Sequence, residues 1–268
     1  MRKTFVIATI AFALWAVFLL GQQPVTLTIR ADQKAATIDP IFYGLMNEEI
    51  NFSYDGGLYA ELIRNRTFRD HSQNTVNWSV AKYQGGDGSI ALDKIPVPET
   101  ALTVALKLDA NGISGAQRVG VANEGYWGIP VRPDTTYRVS FYAKASPGFK
   151  GPLTVALESN DGKSVFAKAD VAQVTSDWKK FSATLKTGKL QASSANRFVI
   201  STGTPGTLWF SLVSLFPPTY KNRPNGLRPD IMQLLADMHP SFLRFPGGNY
   251  LEGPNYENRF NWKATVGP

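Results

Sequence analysis

SFLRFPGGNYLEGPNYENRFNWKATVGP, residues 241–268, decides how the rest of the chain is read. Its first five residues, Ser-Phe-Leu-Arg-Phe, read as a short buried strand. Pro246 withholds a ladder donor, and Gly247-Gly248 open backbone angles closed to other residues. The strand must therefore stop and turn sharply. Polar Asn249, acidic Glu252 and aromatic Tyr250 and Tyr256 follow at once. Upstream, residues 227–239 read as a helix with Leu227, Ile231, Leu234, Leu235 and Met238 on one face. Pro229 lies near its start, where proline is tolerated, and Pro240 blocks its continuation. Helix, short strand, glycine turn and polar residues at the strand's C-terminal end make the repeating unit of an α/β barrel, whose active site sits on that rim. Standing alone, the Pro-Gly-Gly reads first as a tight turn.

The chain has 268 residues, 43% of them hydrophobic, enough for a sizeable core and more than one domain. Its formal charge is +7 and stays basic without Arg2 and Lys3. No run of Lys and Arg interleaves with aromatics, so nothing points to a nucleic-acid partner. There is no cysteine, which excludes disulfides, thiol catalysis and cysteine-based zinc sites. Two histidines, His71 and His239, leave little room for a Ser-His-Asp triad or a multi-histidine metal site. No cofactor or metal is expected.

Residues 1–23 read as a targeting segment, with basic Arg2-Lys3 followed by an apolar run from Phe5 to Leu20. The run is short for a membrane span, yet only Gly21 offers a small residue for cleavage. A signal peptide and a signal anchor both remain open. Either way the remainder is expected outside the cytoplasm, secreted or periplasmic, with no membrane contact beyond this segment.

Residues 25–30, VTLTIR, alternate with period two and read as a strand. Residues 41–50 read as a strand entering a barrel, and residues 58–66 as a short helix after Asp55-Gly56-Gly57. The chemistry lies in Glu48-Glu49. Neighbours on a strand point to opposite faces, so these two carboxylates cannot flank one sugar bond as acid and nucleophile. At most one faces a site, and on spacing alone the pair reads as solvated charge.

Taken together, the segments carry a more specific signal. YGLMNEEIN (43–51) with GGLYAELIRNRTF (56–68), then FLRFPGGNYLEG (242–253) with ENRFNWKATVGP (257–268), resemble the α-L-arabinofuranosidases of glycoside hydrolase family 51. The resemblance implies a (β/α)8 barrel and retaining hydrolysis of terminal α-L-arabinofuranosyl groups from arabinoxylan, arabinan and related chains. It implies that Glu48 hydrogen-bonds the arabinose, and that Arg244 and Asn249 line the same subsite. Glu49, Tyr250 and Glu252 match no catalytic position. A furanose presents hydroxyls that Glu48 can accept from and the Asn249 amide can both accept from and donate to. Arg244, on a strand read as buried, needs a partner and can hold a carboxylate such as Glu48. An ion pair inside the barrel and contact with substrate both stay open for it.

Between the two blocks, from about residue 77 to 217, the text is strand and turn without helices: ALTVALKLD, TYRVSFYAKA, LTVALES, KKFSATLKT, NRFVIST, LWFSLVSLF. That spacing argues for a β-sandwich of jelly-roll type. It resembles the carbohydrate-binding-module-like domain that some family members insert after the first strand. Ser211 stands where such modules often carry an aspartate that helps hold a structural calcium. Tyr126 and Trp127, in the loop Asn-Glu-Gly-Tyr-Trp-Gly, are candidates for a glycan platform, with core packing as the alternative. Trp178 and Trp209 read as core.

The expected fold is thus α/β plus all-β: the first two strands of a TIM barrel with an inserted jelly-roll sandwich. Residues 1–23 are the leader, 24–70 the first barrel piece, 75–218 the sandwich and 225–268 the second barrel piece. The expected partner is an arabinose-containing polysaccharide, with an oligomer possible for a full-length enzyme. A retaining glycosidase needs two carboxyls about 5–5.5 Å apart. The resemblance places that pair on later barrel strands, so no catalytic residue is expected within this chain, which is expected to be inactive by itself. The alternative is a secreted, non-catalytic carbohydrate-binding protein with a vestigial barrel segment.

Overall fold

The computed structural model describes residues 25–171, 173–245, 255–257, 259 and 261. The chain divides into two compact units, residues 1–42 and 43–268. In the first, residues 25–30 form no strand. Their alternation creates an apolar face of Val25, Leu27 and Ile29, but all three are exposed, and without a surface to cover that face nothing holds the segment in a ladder. A short 3-10 turn, Pro40–Phe42, closes the unit's described part.

The second unit begins with β1, Leu45–Met46, much shorter than the ten-residue strand read from the sequence. Ten strands follow: β2 Trp78–Tyr83, β3 Ser89–Asp93, β4 Ala105–Asp109, β5 Arg118–Asn123, β6 Thr136–Ala145, β7 Leu153–Ser159, β8 Val165–Val171, β9 Lys179–Lys186, β10 Asn196–Thr202 and β11 Thr207–Phe216. They make two five-stranded sheets, ordered β2-β5-β10-β7-β8 and β3-β4-β11-β6-β9. Every strand pair within these sheets is antiparallel. Period-two alternation turns Tyr137, Val139, Phe141, Ala143 and Ala145 of β6 inward, where they meet Leu153, Val155 and Leu157 of β7 and Phe198 and Ile200 of β10. This β-sandwich holds the main core.

Two tryptophans differ from the sequence reading. Trp209 is half-buried on the outward side of β11, its Nε1 donating to Asp93 Oδ2 at 2.7 Å, and Trp178 is likewise only partly covered. Among the described residues the buried tryptophan is Trp78, which packs on Phe68 and donates to the Asn65 carbonyl. An indole needs a partner for its N–H, and strand alternation alone does not say which face supplies one.

Residues 58–66 are not a helix. After a wide turn over Tyr54–Leu58, residues 59–63 run without helix past the end of β11 and residues 64–67 turn, with Asn65 at φ 53°: Ala60 N donates to Gly226 O, Leu62 N to Leu215 O, and Val213 N to Arg66 O. The cause lies at the far end of β11, which runs on past its last rung with β4 at Phe210. Its pairing with β6 slips there between Ser211 and Ser214, where Leu212 takes φ 49°. Glu61 lies beside this uncovered stretch and takes the donors on it. Glu61 is 3% exposed; its Oε1 accepts from Leu215 N at 2.9 Å and Ile63 N at 3.0 Å, and its Oε2 accepts from the Ser214 hydroxyl at 2.6 Å. The strong helix formers of LYAELIR lose to this tertiary demand.

Beyond the sandwich lie α1, Pro229–Asp237, and β12, Leu243–Arg244, which pairs with β1 in parallel: Leu45 faces Leu243 and Met46 faces Arg244. Pro229 opens α1 where its missing N–H costs nothing, and His239 turns to φ 48° just before Pro240 ends it. The read of residues 241–245 as a buried strand is corrected: β12 spans two residues, and Phe242, Leu243, Arg244 and Phe245 are all exposed, because no described element covers them. No residue of α1 is buried, and Leu234 is 68% exposed.

Burial pushes the Glu61 carboxyl above its ordinary range, against the pull of its three donors. A raised carboxyl contributes stability that is fully present below the unfolded pKa and lost as pH rises through the folded one. Glu61→Gln should therefore flatten the fall in melting temperature of the wild type across that window. Glu61→Ala, which strands two backbone donors, should cost about 2–5 kcal/mol in urea unfolding at any pH.

Candidate functional site

The first candidate is the C-terminal end of the parallel pair. Leu45 N donates to Phe242 O at 3.0 Å and Asn47 N to Arg244 O at 2.9 Å, so Glu48 follows immediately past the last rung. Glu48 is half-buried, and its carbonyl accepts from the Ser53 hydroxyl and from Ile50 N, which folds the chain back on itself. The adjacent Glu49 is turned away: its Oε2 accepts from Tyr54 N at 2.9 Å. Glu48 and Arg244 form no ion pair with each other among the described residues, and Arg244 lies exposed rather than in a barrel interior. Asn249, Tyr250 and Glu252 lie outside the described residues, as does the Pro246-Gly247-Gly248 turn.

The second candidate is the loop after β5. Asn123, fully buried, anchors it. Its Oδ1 accepts from Gly125 N at 2.9 Å and Arg64 N at 3.3 Å, and its Nδ2 donates to Arg64 O and Asn77 O, both at 2.9 Å. One side chain thus fixes the loop, the turn at Arg64 that ends the 59–66 segment, and the approach to β2. Gly128 has φ +87° and lies against the Ser194 carbonyl, where a Cβ has no room. Between these fixed points stand Tyr126 and Trp127.

The structure separates these two. Trp127 is 66% exposed. Tyr126 is partly buried, its hydroxyl pushed up in pKa chiefly by that burial and then by Asp55, Glu61 and Asp70. Phe52, four residues past Glu48, packs edge-on against both rings, at 5.5 Å from Tyr126 and 5.7 Å from Trp127. The Arg64 guanidinium sits 4.8 Å from the Phe52 ring centroid. A second chain of rings, Phe245 on Tyr54, Tyr54 on Tyr59 and Tyr59 on Phe216, runs from the end of β12 to the end of β11. The Glu48 loop and the sandwich loop therefore share one aromatic seam. Sequence reading missed Phe52, Glu61, Arg64 and Asn123, whose roles depend on contacts made between distant segments.

Three clefts surround this seam. One of about 780 Å³ is lined by Ser79, Glu124, Asn160, Ser194 and Trp127, and another of about 550 Å³ by Tyr59, Pro130, Pro218, Arg228 and Trp127. A third, of about 350 Å³, holds Glu49, Asp55, Arg64, Asp70 and Tyr126. Among the described residues no group of three or more carboxylates and histidines is placed to hold a metal. Ser211 is fully buried, and its hydroxyl has no hydrogen-bond partner among the described residues.

Residues 60–207 match the family described as "Carbohydrate binding domain", and residues 234–268 match "Alpha-L-arabinofuranosidase 1 domain". The chain belongs to the carbohydrate-binding domain family through its sandwich. It is also related to the α-L-arabinofuranosidases over nearly its whole length. A probable alpha-L-arabinofuranosidase A of Aspergillus flavus is 38% identical over 242 residues, 88% of this chain and 37% of that protein. Alpha-L-arabinofuranosidase 1 of Arabidopsis thaliana is 34% identical over 259 residues, 91% of this chain and 37% of that one. A solved family 51 α-L-arabinofuranosidase with arabinose bound superposes with a TM-score of 0.76 at 40% identity, covering 88% of this chain and 39% of that one. The chain spans about 37% of the length of the curated relatives it matches. The sequence resemblance to family 51 is thereby supported from three directions.

In this carbohydrate-binding domain the loop carrying Trp127 depends on Asn123. Asn123→Ala removes four hydrogen bonds and should cost about 2–4 kcal/mol in chemical denaturation. It should also speed amide exchange at Gly125 and Arg64 before the sheets open.

Proposed function

We propose that this chain contributes the sandwich and the first subsite of an exported glycosidase that removes terminal α-L-arabinofuranosyl groups from arabinose-containing plant polysaccharides with retention. The observation that carries this reading is the parallel register of β1 and β12. It sets Glu48 and Arg244 at the same end of two neighbouring strands despite nearly 200 intervening residues, the relation that the first two strands of a (β/α)8 barrel require. The relatives named arabinofuranosidase support the substrate. In this proposal α1 is the crossover helix, its bare apolar face packs on the outside of the barrel sheet, and the open edges of the pair take neighbouring strands.

Glu48 binds the sugar and does not attack it. Its chain neighbour Glu49 is committed to Tyr54, so the two carboxylates do not flank one bond. Glu48 accepts from furanose hydroxyls, Arg244 supplies charge-assisted donors, and Asn249 both donates and accepts. The acid/base and nucleophile pair is assigned to no residue of this chain, and neither metal nor cofactor enters the reaction.

Replacing the aligned N-terminal third of the Aspergillus flavus relative with residues 25–268 tests this. The chimera should release nitrophenol from a nitrophenyl α-L-arabinofuranoside. Glu48→Gln should lower kcat/KM about 10- to 100-fold, the loss of a charged hydrogen bond, with melting temperature unchanged. A folded chimera without activity would favour the non-catalytic carbohydrate-binding alternative.

A further inference from the structure

The sheet formed by β2, β5, β10, β7 and β8 has a face turned away from the core, and that face is closed. Ala81, Ala122 and Val199 pack there with Tyr83, as a cluster separate from the main core. The Tyr83 hydroxyl donates to Glu158 Oε1 at 2.7 Å. Glu158 is 2% exposed and also takes Arg197 Nε at 2.8 Å, so its charge is paired as well as buried. No aromatic ring on this face is free to stack on a ligand.

At the end of the same sheet the situation reverses. Trp127 is the large aromatic of the sandwich most open to solvent among the described residues. It is not loose: Phe52 and Tyr126 hold its ring from one side. An exposed indole held rigid by other rings presents a flat apolar surface at little cost in conformational freedom. The clefts of about 780 Å³ and about 550 Å³ both include Tyr126, Trp127, Gly128 and Ser194, so they run on either side of one ridge. A ligand laid across the ridge can occupy both clefts.

We infer that Trp127 is the stacking contact for the main chain of a neutral, flat pyranose polysaccharide such as a xylan, bound along its length rather than at its tip. The apolar C–H face of a pyranose ring matches the indole. The hydroxyls of Ser79 and Ser194 and the amides of Asn77 and Asn160 line the cleft beside it as donors and acceptors for sugar hydroxyls. Glu124 in that cleft disfavours an acidic chain, and the Arg64 charge is engaged over the Phe52 ring. Tyr126 braces Trp127 and does not itself carry the sugar. This use of the contact rests on the arabinofuranosidase reading: a main chain held at Trp127 lies across the Phe52 seam from the Glu48 loop, which would take a branch.

Affinity electrophoresis of the 268-residue chain in gels containing soluble xylan stripped of arabinose tests the inference without any hydrolysis. The wild-type chain should be retarded, and xylohexaose should compete while free arabinose in large excess should not. Trp127→Ala should lose at least nine-tenths of the retardation with the melting temperature within about 2 °C of wild type, since the ring is mostly exposed. Ser79→Trp, which fills the cleft and leaves Trp127 in place, should lose it too, whereas Tyr83→Phe on the closed face should keep it. Absence of wild-type retardation, retention by folded Trp127→Ala, or loss by folded Tyr83→Phe would each overturn the inference. None of these results depends on whether the chimera described above cleaves arabinofuranosides.

Discussion

The Glu61 carboxylate seated beside the far end of β11 is the constraint on which the rest of the second unit depends. β11 runs on past its last rung with β4 at Phe210, so the Leu215 amide has no strand on that side to donate to. Inside a sandwich such a donor must find an acceptor, and the Glu61 carboxylate accepts it together with the Ser214 hydroxyl and the Ile63 amide. Because Glu61 lies only thirteen residues past Glu48, the demand made in the sandwich fixes where the Glu48 loop can go. The helix-free run from Tyr59 to Ile63 and the turn at residues 64–67 follow from that, and so does the aromatic seam. Phe52 reaches Tyr126 and Trp127, and Tyr54 reaches Phe245.

The consequence is a joint rather than a tether. A polar linker would leave the Trp127 loop and a separate strand pair free to reorient. Here Asn123 grips Arg64 from the sandwich side, Asn65 grips Val76 and Asp70, and Glu61 grips β11. Each of these polar side chains is buried and committed to backbone groups, the arrangement that gives a segment one conformation rather than several. Trp127 and the Glu48 loop are thereby built on one support.

Much of the sandwich was legible in the residues. TYRVSFYAKA, LTVALES and NRFVIST alternate cleanly, since each buries one face against the opposite sheet, and their strands span those same residues. β2, β3, β5 and β8 were not named: β2, β3 and β8 are short or polar with half-buried patterns that local text does not distinguish from turns, and β5 is buried but interrupted by Gly120. LYAELIR misled for a physical reason: its intrinsic preference is helical, and a glutamate in such a run reads as solvated when its partners lie about 150 residues away. For the site, Glu48 and Trp127 could be singled out locally, one by its strand end and the other by its loop. That Trp127 faces solvent while Tyr126 is tucked beneath it, and that Arg244 lies on an exposed strand, are outcomes of packing that no spacing encodes.

The central claim is that the 59–66 segment is an integral part of the sandwich, and native-state amide hydrogen exchange tests it most directly. Leu62 N donates to Leu215 O, Val213 N to Arg66 O, and Leu215 N to Glu61. If the account holds, the amides of Leu62, Val213 and Leu215 exchange only through global unfolding, with the same free energy of opening as those of Phe198 and Ile200 in β10. Exchange of Leu62 and Val213 through a low-energy local opening, while β10 stays protected, would contradict it and return the Glu48 loop to a flexible tether.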